Sequence, residues 1–140
     1  MAFVLDGISL KHLEGVHPDL IRVVQDCAAN GSFPFTFGVS EGLRNIQQQK
    51  ADVAAGKSLT MSSRHLDGHA VDLVVLTHGK ICWAWPPYYV LADQMKAAAA
   101  RCGVGMLCGI DFAPKADGPH FELDRAKYPS GAYTPGIRVA

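Results

Sequence analysis

The sequence has no excess of charge of either sign, since its 140 residues include 13 Lys or Arg and 13 Asp or Glu. A protein that binds nucleic acid through its phosphates usually carries a basic surplus, so this balance gives no support for a nucleic-acid partner. It equally gives no long-range attraction to an anionic membrane surface. Any specificity is therefore expected to come from a local site.

Long apolar runs are also missing, and no segment approaches the roughly 20 apolar residues that cross a bilayer. The N-terminal segment is interrupted by Asp6, Lys11, His12 and Glu14 before any apolar stretch reaches the length found in secretory signals. We therefore predict a chain that is made in the cytoplasm and does not insert into membranes. A target beyond the membrane would require a separate route across it.

No C-x-x-C pair occurs among the four cysteines, and their spacing is irregular. In a chain without a secretory signal this pattern predicts reduced and mostly buried thiols. No cysteine lies beside a histidine in sequence, so a cysteine nucleophile is not indicated. The four are Cys27, Cys82, Cys102 and Cys108.

Neither an internal repeat nor a Pro/Ser-rich linker divides the chain, which predicts a single domain over residues 1–140. Helix periodicity and helix start and stop residues predict helices over 18–30, 41–55 and 88–102. Apolar, β-branched and aromatic runs predict strands over 33–39, 69–76, 81–85, 104–108 and 119–123. Because helices and strands do not alternate regularly, the expected class is α+β, with a small antiparallel sheet flanked by helices. An aromatic cluster is expected to belong to the core: Trp83, Trp85, Tyr88 and Tyr89.

One acidic residue, Asp72, interrupts the predicted strand 69–76, whose other members are mostly apolar. A carboxylate in such a strand is costly unless it is paired or bound to a cation. A metal ion explains Asp72, and so does a structural contact with an arginine or a histidine. His65 lies in the polar segment that leads into this strand.

His120 begins another apolar strand, and a lone histidine at such a position is often a core residue. Taken together, however, His65, Asp72 and His120 supply two imidazoles and one carboxylate from neighbouring elements. This is the usual ligand count of catalytic zinc, with the fourth position left for water. The same donors do not exclude other divalent metals.

These ligands belong to a two-part motif, Ser63-x-His65-x-x-Gly68-x-Ala70-x-Asp72 followed by Asp117-x-x-His120. Further blocks lie around it in a fixed order: Gly15-Val16-His17-Pro18-Asp19-Leu20, Glu41-Gly42-Leu43-Arg44 with Gln49, and Asp117-Gly118-Pro119-His120-Phe121-Glu122-Leu123. In these blocks the sequence resembles the VanX/VanY-type zinc D-Ala–D-Ala peptidases, and in particular their phage branch, the L-alanyl-D-glutamate endopeptidases that act as endolysins. One stretch departs from that branch, which usually has W-G-x-D-W where this chain has Cys108-Gly109-Ile110-Asp111-Phe112.

The resemblance implies a hedgehog/D-Ala–D-Ala-peptidase type of fold and a role for each motif residue. The two histidines and Asp72 would bind zinc. Asp117 would be the catalytic carboxylate that takes a proton from water and passes it to the leaving amine. Arg44 would bind the substrate and stabilise the negative charge that develops on its carbonyl. Ser63 would contribute to substrate binding.

Glu122 is a rival for the role of base. Side chains alternate along a strand, so Glu122 should face the same way as His120. It would then act as the base itself, or accept a hydrogen bond that fixes an imidazole. The resemblance favours Asp117.

The expected function is that of a phage endolysin, a zinc metallopeptidase that hydrolyses the L-Ala–D-Glu bond of peptidoglycan stem peptides and lyses bacteria. It would act as a monomer on peptidoglycan. It would be made in the host cytoplasm and reach the cell wall after a holin permeabilises the membrane. Three alternatives stay open: a D-Ala–D-Ala carboxypeptidase or dipeptidase with the same metal, a zinc-binding module without catalysis, and a structural or virion protein with core histidines.

Overall fold

The computed structural model describes residues 3–43, 50–51, 53–55 and 64–129. The helices are α1 (Gly7–His12), α2 (Pro18–Asn30) and α3 (Trp85–Cys102), and residues 50–51 and 53–54 are helical as well. The strands are β1 (Thr36–Glu41), β2 (Ala70–Thr77), β3 (Lys80–Cys82), β4 (Met106–Cys108) and β5 (His120–Leu123). Two short 3-10 turns, Arg64–Asp67 and Gly109–Asp111, lie before β2 and after β4.

The strands form one antiparallel sheet in the order β1-β2-β5-β4, with β3 paired to β2. β2 is the central strand, because β1 runs along one side while β5 and β3 pair with its first and second halves on the other. Helix α1 contacts β1, and α3 contacts β2, β4 and α2. The predicted α+β class, a small antiparallel sheet flanked by helices, is confirmed.

Helix α2 has the predicted bounds, and local chemistry explains both ends. The ring nitrogen Nδ1 of His17 accepts a hydrogen bond from the backbone N–H of Asp19 at 3.0 Å, and Pro18 lies in the first turn. At the other end, the Gly31 N–H donates to the carbonyl of Cys27 at 2.8 Å. One face of the helix is buried: Leu20, Val23, Val24, Cys27 and Ala28.

Helix α3 begins at Trp85, earlier than the predicted start at residue 88. Pro86 lies in its first turn, where a missing N–H leaves no hydrogen bond unmade, so the proline starts the helix and does not break the chain before it. The expectation that the aromatic cluster belongs to the core is right for Tyr88, which is 2% exposed. It is wrong for the other three members, which are exposed: Trp83 (66%), Trp85 (50%) and Tyr89 (57%). The helix ends as predicted, at Gly103 with φ of 69°.

The predicted helix 41–55 begins too early, because Glu41 is the last residue of β1 and pairs with Asp72. Helix α1 was missed by sequence reasoning. Its signal is the carboxylate of Asp6, which accepts a hydrogen bond from the Ser9 N–H at 2.7 Å and so caps the helix. Across the described ranges, no helix is both long and apolar enough to cross a membrane.

Candidate metal centre

The pairing of β2 with β5 explains how distant residues meet. Asp72 lies directly opposite His120 in the antiparallel register, and the Leu73 N–H extends the pairing by donating to the Pro119 carbonyl at 2.8 Å. The 3-10 turn Arg64–Asp67 then brings His65 to the same end of β2. Three residues that are far apart in sequence therefore become neighbours because the sheet is built in this register.

The two imidazole rings converge on one oxygen of the Asp72 carboxylate. Asp72 Oδ1 lies 3.3 Å from His65 Nε2 and 3.3 Å from His120 Nδ1. The three candidate ligand atoms all lie within 4.8 Å of one another. Ligand atoms around a tetrahedral metal with bonds of about 2.0–2.1 Å are separated by about 3.3–3.4 Å. The nitrogen and oxygen positions therefore fit a small divalent cation such as zinc.

Each of the two imidazole rings is oriented so that one of its nitrogens faces Asp72 and the other faces a hydrogen-bond acceptor on the far side of the ring. The carbonyl oxygen of Gly42 lies 2.8 Å from His65 Nδ1, so that nitrogen carries the hydrogen and Nε2 is left as the ligand atom. Glu122 Oε1 lies 3.0 Å from His120 Nε2, which makes Nδ1 the ligand atom of the second histidine. The hydrogen-bond acceptors behind the two rings therefore leave Nε2 of His65 and Nδ1 of His120 as the nitrogens available to a metal.

The electrostatics of the cluster favour positive charge at its centre. Burial alone would raise the pKa of the Asp72 carboxyl, but the neighbouring imidazoles of His120 and His65 outweigh it and hold that pKa below its usual range. Burial likewise opposes charge on His120, yet Asp72 and Glu122 raise the pKa of its ring to about 9. Two carboxylates around one imidazole thus stabilise a cation at this position, which is the charge that a divalent metal supplies.

Asp117 stands beside this cluster at an exposed position. Its backbone is fixed on both sides, since its N–H donates to the Gly109 carbonyl at 2.8 Å and its carbonyl accepts from the His120 N–H at 3.2 Å. The pKa of its carboxyl is raised, first because neighbouring protein atoms take it partly out of water and second because of the negative charge of Asp72. A raised pKa suits a carboxylate that must both accept and return a proton near neutral pH.

Glu122 lies behind the His120 ring, on the side away from the ligand cluster, and is 2% exposed. Its second oxygen accepts from Arg125 Nε at 3.1 Å and lies 3.8 Å from Arg64 Nε. Burial would raise the pKa of its carboxyl, but the hydrogen bonds with His120 and Arg125 lower it. Of the two roles that sequence analysis left to Glu122, this geometry fits the acceptor that orients an imidazole.

Arg64 is a site residue that sequence analysis missed. Its side chain is almost fully buried, and Nη2 donates to the carbonyls of Leu123 at 3.2 Å and Tyr128 at 2.6 Å. Its guanidinium also lies 3.6 Å from Asp67 and 3.8 Å from Glu122. It therefore connects the turn that carries His65 to the strand that carries His120.

Two predicted site residues, Arg44 and Ser63, lie outside the described residues. The chain just before Arg44 does reach the site, since the Gly42 carbonyl contacts the His65 ring. Ser63 directly precedes the 3-10 turn that carries His65. Their roles stay predictions.

The three converging side chains form a candidate metal site on an α+β fold, and comparison with known families identifies the class of protein. The model of the phage L-alanyl-D-glutamate peptidase family matches residues 1–132, so the chain belongs to that family. This agrees with the resemblance seen in the zinc motif and its neighbouring blocks.

Individual relatives agree with the family. The L-alanyl-D-glutamate peptidase of Escherichia phage T5 is 27% identical over 135 residues, which are 94% of this chain and 96% of the relative. The L-alanyl-D-glutamate peptidase of Listeria phage A118 is 30% identical over 102 residues, which are 73% of this chain and 35% of the relative. The crystal structure of the Serratia marcescens L-Ala D-Glu endopeptidase ChiX superposes with a TM-score of 0.84 at 41% identity, covering 93% of this chain and 95% of that one.

Proposed function

We propose that this protein is a zinc-dependent peptidase that hydrolyses the L-Ala–D-Glu bond of peptidoglycan stem peptides. The bond is the one named for the family and for the three relatives. The zinc ligands are His65 Nε2, Asp72 Oδ1 and His120 Nδ1. The observation that carries the proposal is the convergence of His65 Nε2 and His120 Nδ1 on Asp72 Oδ1, each at 3.3 Å.

His65, Asp72 and His120 would hold the zinc ion, which would supply a Lewis acid for the scissile carbonyl and lower the pKa of the attacking water. Asp117 removes a proton from that water and later delivers it to the leaving nitrogen. The C–N bond breaks, the water oxygen becomes part of the new L-Ala carboxylate, and the D-Glu amine leaves protonated. The fixed backbone of Asp117, beside His120, supports its assignment as base over Glu122.

Glu122 is assigned to orientation, because it holds the Nε2–H of His120 and so keeps Nδ1 available to the metal. Arg44 is assigned to the substrate and to the oxyanion that develops on the scissile carbonyl, and Ser63 to substrate binding. Both assignments rest on the motif positions of these residues. The family match over 1–132 supports one catalytic domain over residues 1–140.

The biological setting that we propose is the one expected of a phage lysis enzyme. The protein acts as a monomeric phage lysis enzyme, with peptidoglycan as its partner and with neither nucleic acid nor membrane insertion. It is made in the host cytoplasm and reaches the periplasm or cell wall after a holin opens the membrane. Expression of the protein inside bacteria, with and without a membrane-permeabilising protein, tests this route. We expect lysis only when both are expressed.

Metal content and activity of matched variants test the proposed site. We expect wild-type protein to hold about one zinc ion per chain and to solubilise purified peptidoglycan. Asp72→Asn should lose both the metal and the activity. Asp93→Asn, at an exposed position on α3, is the matched control and should retain both. Stoichiometric zinc and full activity in Asp72→Asn would contradict the proposed site.

A further inference from the structure

A cavity of about 260 Å³ opens next to the proposed base. Its walls are Trp83, Trp85, Tyr88 and residues 116–119, so Asp117 borders both this cavity and the ligand cluster. None of the proposed catalytic steps uses the aromatic side of the cavity. Its continuity with Asp117 means that whatever fills it is placed close to the scissile bond.

The aromatic wall is held in place by the core. Tyr88 is 2% exposed, and its hydroxyl donates to the Cys82 carbonyl at 2.8 Å and accepts from the Val75 N–H at 3.2 Å. The Trp83 ring lies parallel to the Tyr88 ring, with 5° between the planes and 6.4 Å between the centroids. Trp83 and Trp85 nevertheless remain 66% and 50% exposed. Large apolar rings that are fixed and yet exposed mark a contact surface.

The loop that carries Asp117 rests on these rings. A Cβ atom placed on Gly118 would lie 3.3 Å from the ring of Tyr88 and 3.4 Å from that of Trp85. Glycine at this position therefore lets the backbone approach the aromatic wall closely. The distance between the wall and the base is set by this packing.

We propose that this cavity binds the sugar ring of the N-acetylmuramic acid residue that precedes L-Ala in peptidoglycan. The inference rests on the proposed function. In the stem peptide the L-Ala nitrogen is acylated by the lactyl group of that sugar, so the L-Ala–D-Glu bond lies one residue from the glycan. One residue spans about 3.3–3.6 Å, so the sugar must lie close to any group that acts on this bond.

The chemistry of the walls favours the sugar over the rest of the stem peptide. The C–H face of a pyranose ring packs on the electron-rich face of an aromatic ring. The other side of the scissile bond carries D-Glu and a diamino acid, whose charges call for ionic partners. Of the residues that form the walls, Asp117 alone has a carboxylate or a basic side chain. A volume just below the range of about 300–1,000 Å³ found for ligand pockets suits one sugar ring.

Two substrates with the same peptide separate this inference from the proposed function. One is the disaccharide tetrapeptide released from peptidoglycan by a muramidase, and the other is the same tetrapeptide with an N-acetyl group in place of the sugar. We expect wild-type kcat/KM to be about tenfold higher for the first substrate, mainly through KM. Trp83→Ala should remove about fivefold of that advantage and leave cleavage of the acetylated peptide unchanged. Trp85 also packs against the loop of Asp117, so for Trp85→Ala the expected result is a fall of about fivefold in the ratio of kcat/KM between the two substrates. Ile81→Ala, at a half-exposed position on β3 outside the cavity walls, is the control and should change neither value.

Binding can also be measured directly, because Trp83 and Trp85 are the two tryptophans of the chain. Titration with N-acetylmuramyl-L-alanine should change the intrinsic fluorescence in a saturable way, and N-acetyl-L-alanine should not. Trp85→Phe, which keeps an aromatic face, should retain the preference for the sugar-bearing substrate.

Three results would overturn the inference. Equal kcat/KM for the two substrates in the wild type would refute the sugar site and leave the proposed function intact. Equal losses on both substrates in the tryptophan variants would show that these rings serve the peptide or the fold. Cleavage of neither substrate by zinc-loaded wild type would overturn the proposed function, and this inference with it.

Discussion

Replacing Glu122 by glutamine should weaken zinc binding without removing any ligand. Glu122 Oε1 lies 3.0 Å from His120 Nε2, and the carboxylate is 2% exposed, so solvent does little to screen this charge-assisted hydrogen bond. Glutamine keeps the shape but loses the negative charge. Its amide group can also donate to Nε2, which would move the ring hydrogen to Nδ1 and block the ligand atom.

Changes behind a metal-bound imidazole typically cost about 10–100-fold in metal affinity. For Glu122→Gln this corresponds to about 1.4–2.7 kcal/mol of binding free energy. The effect on folding should be smaller, because Arg64 keeps its hydrogen bonds to the carbonyls of Leu123 and Tyr128. The expected signature is therefore a loss of zinc affinity that exceeds the loss of unfolding free energy.

Competition with a chromophoric chelator at pH 7 measures the zinc affinity, and urea unfolding in excess chelator measures the stability of the metal-free protein. Glu14→Gln, at an exposed position, is the matched control and should change neither. Wild-type zinc affinity in a folded Glu122→Gln protein would refute the argument that this carboxylate selects the ligand nitrogen of His120.

Four further predictions concern other parts of the structure. Asp117→Asn should retain zinc while kcat falls by about 100–10,000-fold, and near-normal turnover would remove it from the role of base. Arg64→Met should lower the free energy of unfolding by about 3 kcal/mol, measured in urea, because it leaves the carbonyls of Leu123 and Tyr128 without their donor and removes a cation 3.8 Å from the buried Glu122 carboxylate; an unchanged midpoint would contradict this. The Tyr128 hydroxyl, 2.7 Å from the Asp19 carboxylate, is the main cause of the lowered pKa of Asp19 in the folded protein. The ionised carboxylate therefore stabilises the fold above its ordinary pKa near 3.8, and this stabilisation is lost as the pH falls through the lower pKa of the folded state. Tyr128→Phe should therefore flatten the acid limb of stability, and an unchanged limb would refute the link. Burial raises the pKa of the Cys27 thiol to about 12, so this thiol should react with Ellman's reagent at pH 8 only after the protein unfolds. Rapid reaction of Cys27 in the native protein would contradict its buried position.

The candidate ligand cluster could be predicted from sequence because two of its members have local signals and the two-part motif contains all three. Asp72 interrupts an otherwise apolar strand, and His120 begins another, so both stand out as polar residues in apolar strands. Pairing of β2 with β5 then places them opposite each other. The alternation of side chains along β5 also placed Glu122 near His120, although alternation could not tell a base from an orienting acceptor.

The rest of the site depends on contacts between distant segments. The partners of Arg64 are backbone carbonyls of residues 123 and 128, and the partner of His65 is the carbonyl of residue 42. Backbone acceptors carry no mark in a sequence, so neither the burial of Arg64 nor the ring orientation of His65 could be predicted. The exposure of Trp83 and Trp85 could not be predicted either, because aromatic residues are common both in cores and on surfaces that bind ligands.

The central claim is tested most directly by mass spectrometry of the soluble products formed from purified peptidoglycan, with and without a zinc chelator. The account predicts fragments with a new N-terminal D-Glu, which disappear with the chelator and return when zinc is restored. Release of terminal D-Ala would instead indicate a carboxypeptidase. The same D-Glu fragments at undiminished yield in protein shown to be free of metal would contradict the assignment of His65, Asp72 and His120 as the ligands of a catalytic zinc ion.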